Sequence, residues 1–160
     1  MSMGVNRHLP HIYILPEDDA NRQLALGFLT DTSAIQVRIL NEAGGWTHVR
    51  DLFASVHVDE MRRFDGRYMI LLVDFDGDVD RLRLMKEAVP TDLADRVFVL
   101  GTLTQPEHLR KDLGPFENIG KLIADDCRNG TQTVRTHDLL RHNDSEFTRL
   151  RHALHAILFP

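Results

Sequence analysis

The chain has 160 residues, 42% of them hydrophobic and 27% charged, with a formal net charge of −5. That length predicts one domain that exposes roughly 8,200 Å² and buries about 70% of its unfolded surface, so the core needs no staples. A single cysteine, Cys127, excludes an internal disulfide and a Cys-cluster zinc or iron–sulfur site, and the acidic balance excludes nucleic-acid binding by bulk charge alone.

The first element is residues 11–15 (HIYIL), a short β-branched and aromatic run stopped by Pro16, which predicts a strand. Glu17, Asp18 and Asp19 follow it. Residues 20–29 then carry Leu24, Ala25, Phe28 and Leu29 at helical spacing, with the acids at the favourable N-terminal end. Residues 34–40 alternate Ile35, Val37 and Ile39 and predict a second strand. Gly44-Gly45 breaks the chain and Trp46 anchors the turn. Residues 46–64 place Val49, Leu52, Phe53, Val56 and Met61 on one helical face.

Residues 68–73 (YMILLV) form a nearly continuous apolar run, as in a strand covered on both faces. The run ends in Asp74-Phe75-Asp76-Gly77-Asp78-Val79-Asp80, and helical spacing resumes through Leu82, Leu84, Met85 and Ala88. Residues 96–100 (RVFVL) predict another buried strand, closed by Gly101. Helices are predicted over 107–113, 116–128 and 145–158, with Cys127 as a buried helix residue. No apolar run approaches the ~18 residues of a membrane span, and no signal-peptide core opens the chain, which predicts a cytoplasmic protein.

Strands alternating with helices predict an α/β fold: a single domain over 1–160 with a mostly parallel, doubly wound, Rossmann-like sheet flanked by helices. Its core spans 11–101, and a helical C-terminal flank spans 102–160. Residues 1–107 hold 11 Lys and Arg against 17 Asp and Glu, whereas residues 108–160 hold 8 against 7 and five of the nine histidines. Arg135, Arg141, Arg149 and Arg151 lie in that flank and are the candidate nucleic-acid contacts. The flank histidines lack the spacing of a zinc protease, which favours a solvated helical face.

In open α/β sheets ligands sit beyond the carboxyl ends of the strands. Glu17 follows the first strand there, Asp74, Asp76 and Asp78 follow the long apolar one, and Glu107 lies beyond the next. Crowded carboxylates repel and stay ionised most readily beside a cation, and hard oxygen donors suit Mg²⁺ or Mn²⁺. If the strand runs on through the acids, Asp74 and Asp76 face one side and Gly77 turns the chain to aim the third acid. An EF-hand is excluded, because a strand precedes the acids and position twelve from Asp74 is Met85.

This order of strand, Glu17, helix, strand, helix, strand, Asp74-x-Asp76, helix, and a strand ending in Gly101 resembles the Toprim fold over residues 12–101. The resemblance is to the Toprim nucleases of the overcoming-lysogenization-defect, phage-defence type. It implies phosphodiester hydrolysis of DNA or RNA with Mg²⁺ or Mn²⁺, and an ATPase carried on a separate chain. Glu17 would act as general acid or base, with Asp74 and Asp76 as metal ligands and Asp78 and Glu107 as candidates for a second ion. Asp18 stands where that family usually has a glycine. A response-regulator receiver is the alternative: Glu17-Asp18-Asp19 looks like its acidic pair, Asp74 its phosphoacceptor, and Thr102 follows the next strand. The receiver's lysine has no counterpart, since Lys111 and Lys121 fall in helical patterns. A non-catalytic Toprim-like interaction module is the third reading.

Overall fold

The computed structural model describes residues 4–78, 80–103, 106–134, 137, 140 and 143–160. Four parallel strands form one sheet in the order β2-β1-β3-β4. They are β1 (His11–Pro16), β2 (Val37–Ile39), β3 (Arg67–Leu72) and β4 (Val97–Leu100). The helices are α1 (Asp19–Leu29), α2 (Trp46–Leu52), α3 (Val58–Arg63), α4 (Asp80–Glu87), α5 (Pro106–Leu113), α6 (Phe116–Asn129) and α7 (Asp144–Leu158). A π-helical turn, Phe53–His57, joins α2 to α3, and a 3₁₀ turn, Thr91–Arg96, leads into β4.

Helices cover both faces, so the fold is doubly wound α/β. Period-two alternation divides the sheet between two cores. Ile12, Ile14, Ile70, Phe98 and Leu100 face α1, α6 and α7. Tyr13, Leu15, Met69, Leu71, Val97 and Val99 face α2, α3 and α4. The register stacks these sets across strands, with Ile14 opposite Ile70 and Leu71 opposite Val99. Every residue of β1 and β4 is buried, as the continuous apolar runs require. The chain exposes 8287 Å², close to the expected area.

α1 and α6 cross at van der Waals contact through two glycines. A Cβ on Gly27 would overlap the Glu117 backbone, and one on Gly120 would overlap the Leu24 carbonyl. Neither position admits a side chain.

The two edges of the sheet end differently. β2 is shorter than residues 34–40, because Ile35 is 80% exposed and contributes nothing to either core. The outer edge of β4 is closed by side chains of α7 and its N-cap rather than by a strand. The Glu146 carboxylate accepts the Val99 N–H at 3.0 Å, and the Asn143 amide pairs with both backbone groups of Gly101 at 3.1 and 2.7 Å. Capping an edge in this way removes the row of free backbone groups that recruits foreign strands. Among the described residues, no helix is long and apolar enough to cross a membrane.

Candidate functional site

β1 and β3 are neighbours, so their carboxyl ends deliver Glu17 and Asp74 to one place. The Glu17 backbone N–H continues the ladder to Leu72 O at 2.8 Å. Its carboxylate Oε2 then accepts the Asp74 N–H at 2.6 Å, bridging the two strand ends. The Gly44-Gly45 turn closes from the β2 side, where Gly44 N–H donates to Glu17 O at 2.8 Å and the Trp46 N–H reaches the Glu17 carboxylate. Burial pushes the Glu17 carboxyl above its ordinary range, helped by the Asp18 charge and opposed by the Asp74 N–H.

Asp74 is buried and is held by two polar side chains. Asn21 Nδ2 donates to Asp74 Oδ1 at 3.1 Å and to Asp18 Oδ1 at 3.0 Å, so one amide ties two carboxylates together. The Thr102 hydroxyl, just past β4, reaches the same Asp74 Oδ1 at 3.4 Å. Among the described residues no donor reaches Oδ2. Desolvation, with the charges of Asp18 and Glu17 added, pushes the Asp74 carboxyl from its ordinary 3.8 up to about 7. Asp18 is also the N-cap of α1, accepting the Asn21 backbone N–H at 2.9 Å.

The aspartates beyond Asp74 take other work. β3 ends at Leu72, so the strand does not carry Asp74 and Asp76 onto a common side. Phe75 is buried in the second core and pins a turn closed by Asp78 N–H to Phe75 O at 2.8 Å. Asp76 and Gly77 both adopt left-handed backbone, with φ of 51° and 71°, as a mirror-image turn demands. Asp76 is therefore swung outward, its side chain 59% exposed and 3.6 Å from Arg81. Asp78 Oδ1 accepts the Asp80 N–H at 2.9 Å, which makes it a cap at the start of α4. Glu107 is exposed in the first turn of α5, where an acid favours the helix dipole.

The arginines assigned to nucleic acid divide in the same way. Arg135 and Arg141 lie outside the described residues. Arg149 is consumed by the fold: it donates to Ala94 O at 2.8 Å and Val97 O at 2.7 Å, pairs with Glu146, and stacks on Phe98. Arg151 Nε caps a carbonyl at the end of α6, Cys127 O, at 2.8 Å. Cys127 itself is buried in α6, as its helical setting predicts.

Asn21 and Arg81 carried no sequence signal as site residues. Arg81 Nη1 donates to Asp74 O at 3.0 Å and its guanidinium lies 5.2 Å from the centre of the Trp46 ring.

Among the described residues, no three His, Cys, Asp or Glu side chains form a ready metal-ligand group. Magnesium seldom needs one, since it typically takes one or two carboxylates plus waters and substrate phosphate. Asp74 Oδ2 and the anchored Glu17 offer hard oxygen donors of that kind, in surroundings that disfavour uncompensated negative charge. These residues fit a divalent ion. Compared with protein-family models, curated proteins and solved structures, the chain matches none.

Proposed function

We propose that this chain is a Toprim-like, metal-dependent nuclease that hydrolyses phosphodiester bonds of DNA or RNA, with Glu17 and Asp74 at its centre. The observation that carries the reading is the meeting of Glu17, Asp18 and Asp74 where β1 and β3 end, with Asp74 pushed up to about 7. Such crowding costs stability that an ordinary surface loop has no reason to bear, and a cation relieves it.

Asp74 and Glu17 would hold Mg²⁺ or Mn²⁺, which when bound supplies charge to neutralise the phosphate and activate water. Glu17 would be the proton-transfer group, and burial raises the affinity of its carboxyl for protons in the ion-free chain. Asn21 and Thr102 hold Asp74 by Oδ1 and so fix which way Oδ2 faces. Asp18 adds negative charge without leaving its cap. With Asp76 turned outward and Asp78 and Glu107 engaged at helix starts, the reading needs a single ion. A role as effector of a phage-defence system, with an ATPase on a partner chain, belongs to the same proposal.

A second reading, phosphorylation of Asp74 as in a receiver, is favoured by the Thr102 hydroxyl at Asp74. Among the described residues no lysine-bearing strand lies beside β4, whose outer edge is bonded to Glu146 and Asn143.

The test incubates plasmid, single-stranded DNA and RNA with Mg²⁺ or Mn²⁺. Wild type cleaves at least one of them, and Glu17→Ala or Asp74→Ala lowers the rate by about 10²–10⁴, the range for a lost acid–base group. Cleavage indifferent to both substitutions contradicts the assignment. Stable labelling of Asp74 by a small phosphodonor, with no cleavage, favours the receiver.

A further inference from the structure

A nuclease centre needs cationic side chains for the phosphate chain on either side of the reacting group, and of the four flank arginines assigned to that task the two described ones are committed elsewhere. Arg149 and Arg151 saturate carbonyls of the fold. Three other arginines lie on the helices that follow β1, β2 and β3, each from a different βα unit, and one of them, Arg81, bonds Asp74 O directly. Arg22 lies in the first turns of α1, next to Asn21, and its backbone N–H bonds Asp18 O at 3.0 Å. Arg50 lies on α2 and Arg81 on α4, with guanidinium carbons 5.4 and 5.2 Å from the Trp46 ring centre. The Trp46 backbone N–H lies near the Glu17 carboxylate, and Arg81 bonds Asp74 O at 3.0 Å.

Arg22 and Arg50 are loosely held, and Arg81, which donates Nη1 to Asp74 O, leaves Nη2 in a loose pair. Arg22 is 3.9 Å from the half-exposed Glu42, and its Nε is buried with no acceptor. Arg50 pairs at 3.0 Å with Asp51, its exposed chain neighbour. Arg81 stands 3.6 Å from the exposed Asp76. Exposed ion pairs are weak, so a phosphate chain displaces the carboxylates at little cost. By contrast, the exposed Arg63 closes α3 just before β3 begins, at the opposite edge of the sheet.

We propose that Arg22, Arg50 and Arg81 form a collar around the Glu17–Asp74 centre that grips the phosphate backbone of a nucleic-acid strand, in place of the C-terminal flank. This surface rests on the nuclease reading for its purpose, yet its binding is measured without catalysis. A strand laid across the collar crosses the carboxyl edge of the sheet, with its phosphates over Asp74 and its flanks on α1 and on the α2–α4 side. The guanidinium fork suits such oxygens in a way that lysine does not.

The experiment is fluorescence anisotropy of a labelled DNA oligonucleotide, single-stranded and as a duplex, on the full chain with Ca²⁺ in place of Mg²⁺. Affinity is followed against KCl. Each phosphate contact contributes about 0.7 to the logarithmic salt slope for a single strand and about 0.9 for a duplex. Arg22→Ala, Arg50→Ala and Arg81→Ala each weaken binding several-fold and flatten the slope by about one contact, and Arg81→Lys restores part of it. Arg63→Ala leaves affinity and slope unchanged. Because Arg81 also bonds Asp74 O, melting temperatures accompany every variant, and Arg22→Ala and Arg50→Ala decide the matter if Arg81→Ala unfolds. Slopes unaltered in Arg22→Ala and Arg50→Ala, no binding by wild type, or binding lost instead in Arg135→Ala and Arg141→Ala overturns the collar. Collar-dependent binding without Glu17-dependent cleavage sustains the collar and removes the nuclease.

Discussion

The two ends of the same pair of strands handle charge in opposite ways. At their amino ends, His11 opens β1 and Arg67 opens β3, side by side in register. The Arg67 guanidinium is buried, yet it is well provided for. Its Nε donates to His11 Nε2 at 3.0 Å, its Nη1 to Glu60 at 3.1 Å, and it packs against the rings of Tyr13 and Phe64. Only Nη2 has no partner. At the carboxyl ends, Glu17, Asp18 and Asp74 meet with like charge, Asp18 and Asp74 sharing one asparagine amide while Glu17 accepts the Asp74 N–H. A buried charge matched by an opposite charge and aromatic rings reads as architecture. A set of like charges whose carboxylates are bonded only by neutral donors, with one arginine on the neighbouring backbone, reads as a candidate binding site.

The largest effect that separates the two ends is removal of Arg67. Arg67→Ala empties a buried site and strips His11 and Glu60 of their donor, which costs about 3–5 kcal/mol in urea denaturation. A loss under about 1 kcal/mol would make the amino end as dispensable as a surface pair.

The opposite sign is expected at the carboxyl end. Asp74 has a raised folded-state affinity for protons, so its favourable contribution is full below about pH 4 and is lost as pH rises through about 7. Asp74→Asn therefore stabilises the chain at pH 8, by about 1–2 kcal/mol given partial solvent access, and the advantage disappears in acid. Glu17→Gln changes stability in the same direction, less the hydrogen bond from the Asp74 N–H.

The smallest expected effect lies in the acid response of the amino end. Burial lowers the affinity of His11 and His57 for protons, with the Arg67 charge acting in the same direction. Their contribution is full above pH 6.5 and is lost as pH falls below it. His11→Gln, which does not titrate, flattens the fall in melting temperature between pH 6.5 and 5 relative to wild type. An unchanged pH profile would show that the Arg67–His11 bond has no weight in stability.

The fold was legible where one physical signal dominated. The run from Tyr68 to Val73 announced β3 and its burial on both faces, and the spacing of Phe147, Leu150 and Leu154 announced α7. β2 was over-extended, because Ile35 alternates correctly yet meets no neighbour at a sheet edge. The π turn at Phe53–His57 and the 3₁₀ turn at Thr91–Arg96 leave no periodic trace in residue types. At the site, Glu17 and Asp74 were readable as acids following buried strands. Asp76 does not share a face with Asp74, because a left-handed turn begins where an extended strand would have continued. Asn21 and Thr102 lie 53 and 28 positions from Asp74, so only topology joins them.

The measurement closest to the central claim is titration of the full chain with Mn²⁺ alone, followed by the electron-spin signal of the free ion, for wild type, Glu17→Gln and Asp74→Asn. Wild type binds about one Mn²⁺ near neutral pH, and the rise in its melting temperature on binding is absent in Asp74→Asn and reduced in Glu17→Gln. Equal Mn²⁺ binding by all three proteins, or none by wild type, contradicts a metal centre at Glu17 and Asp74.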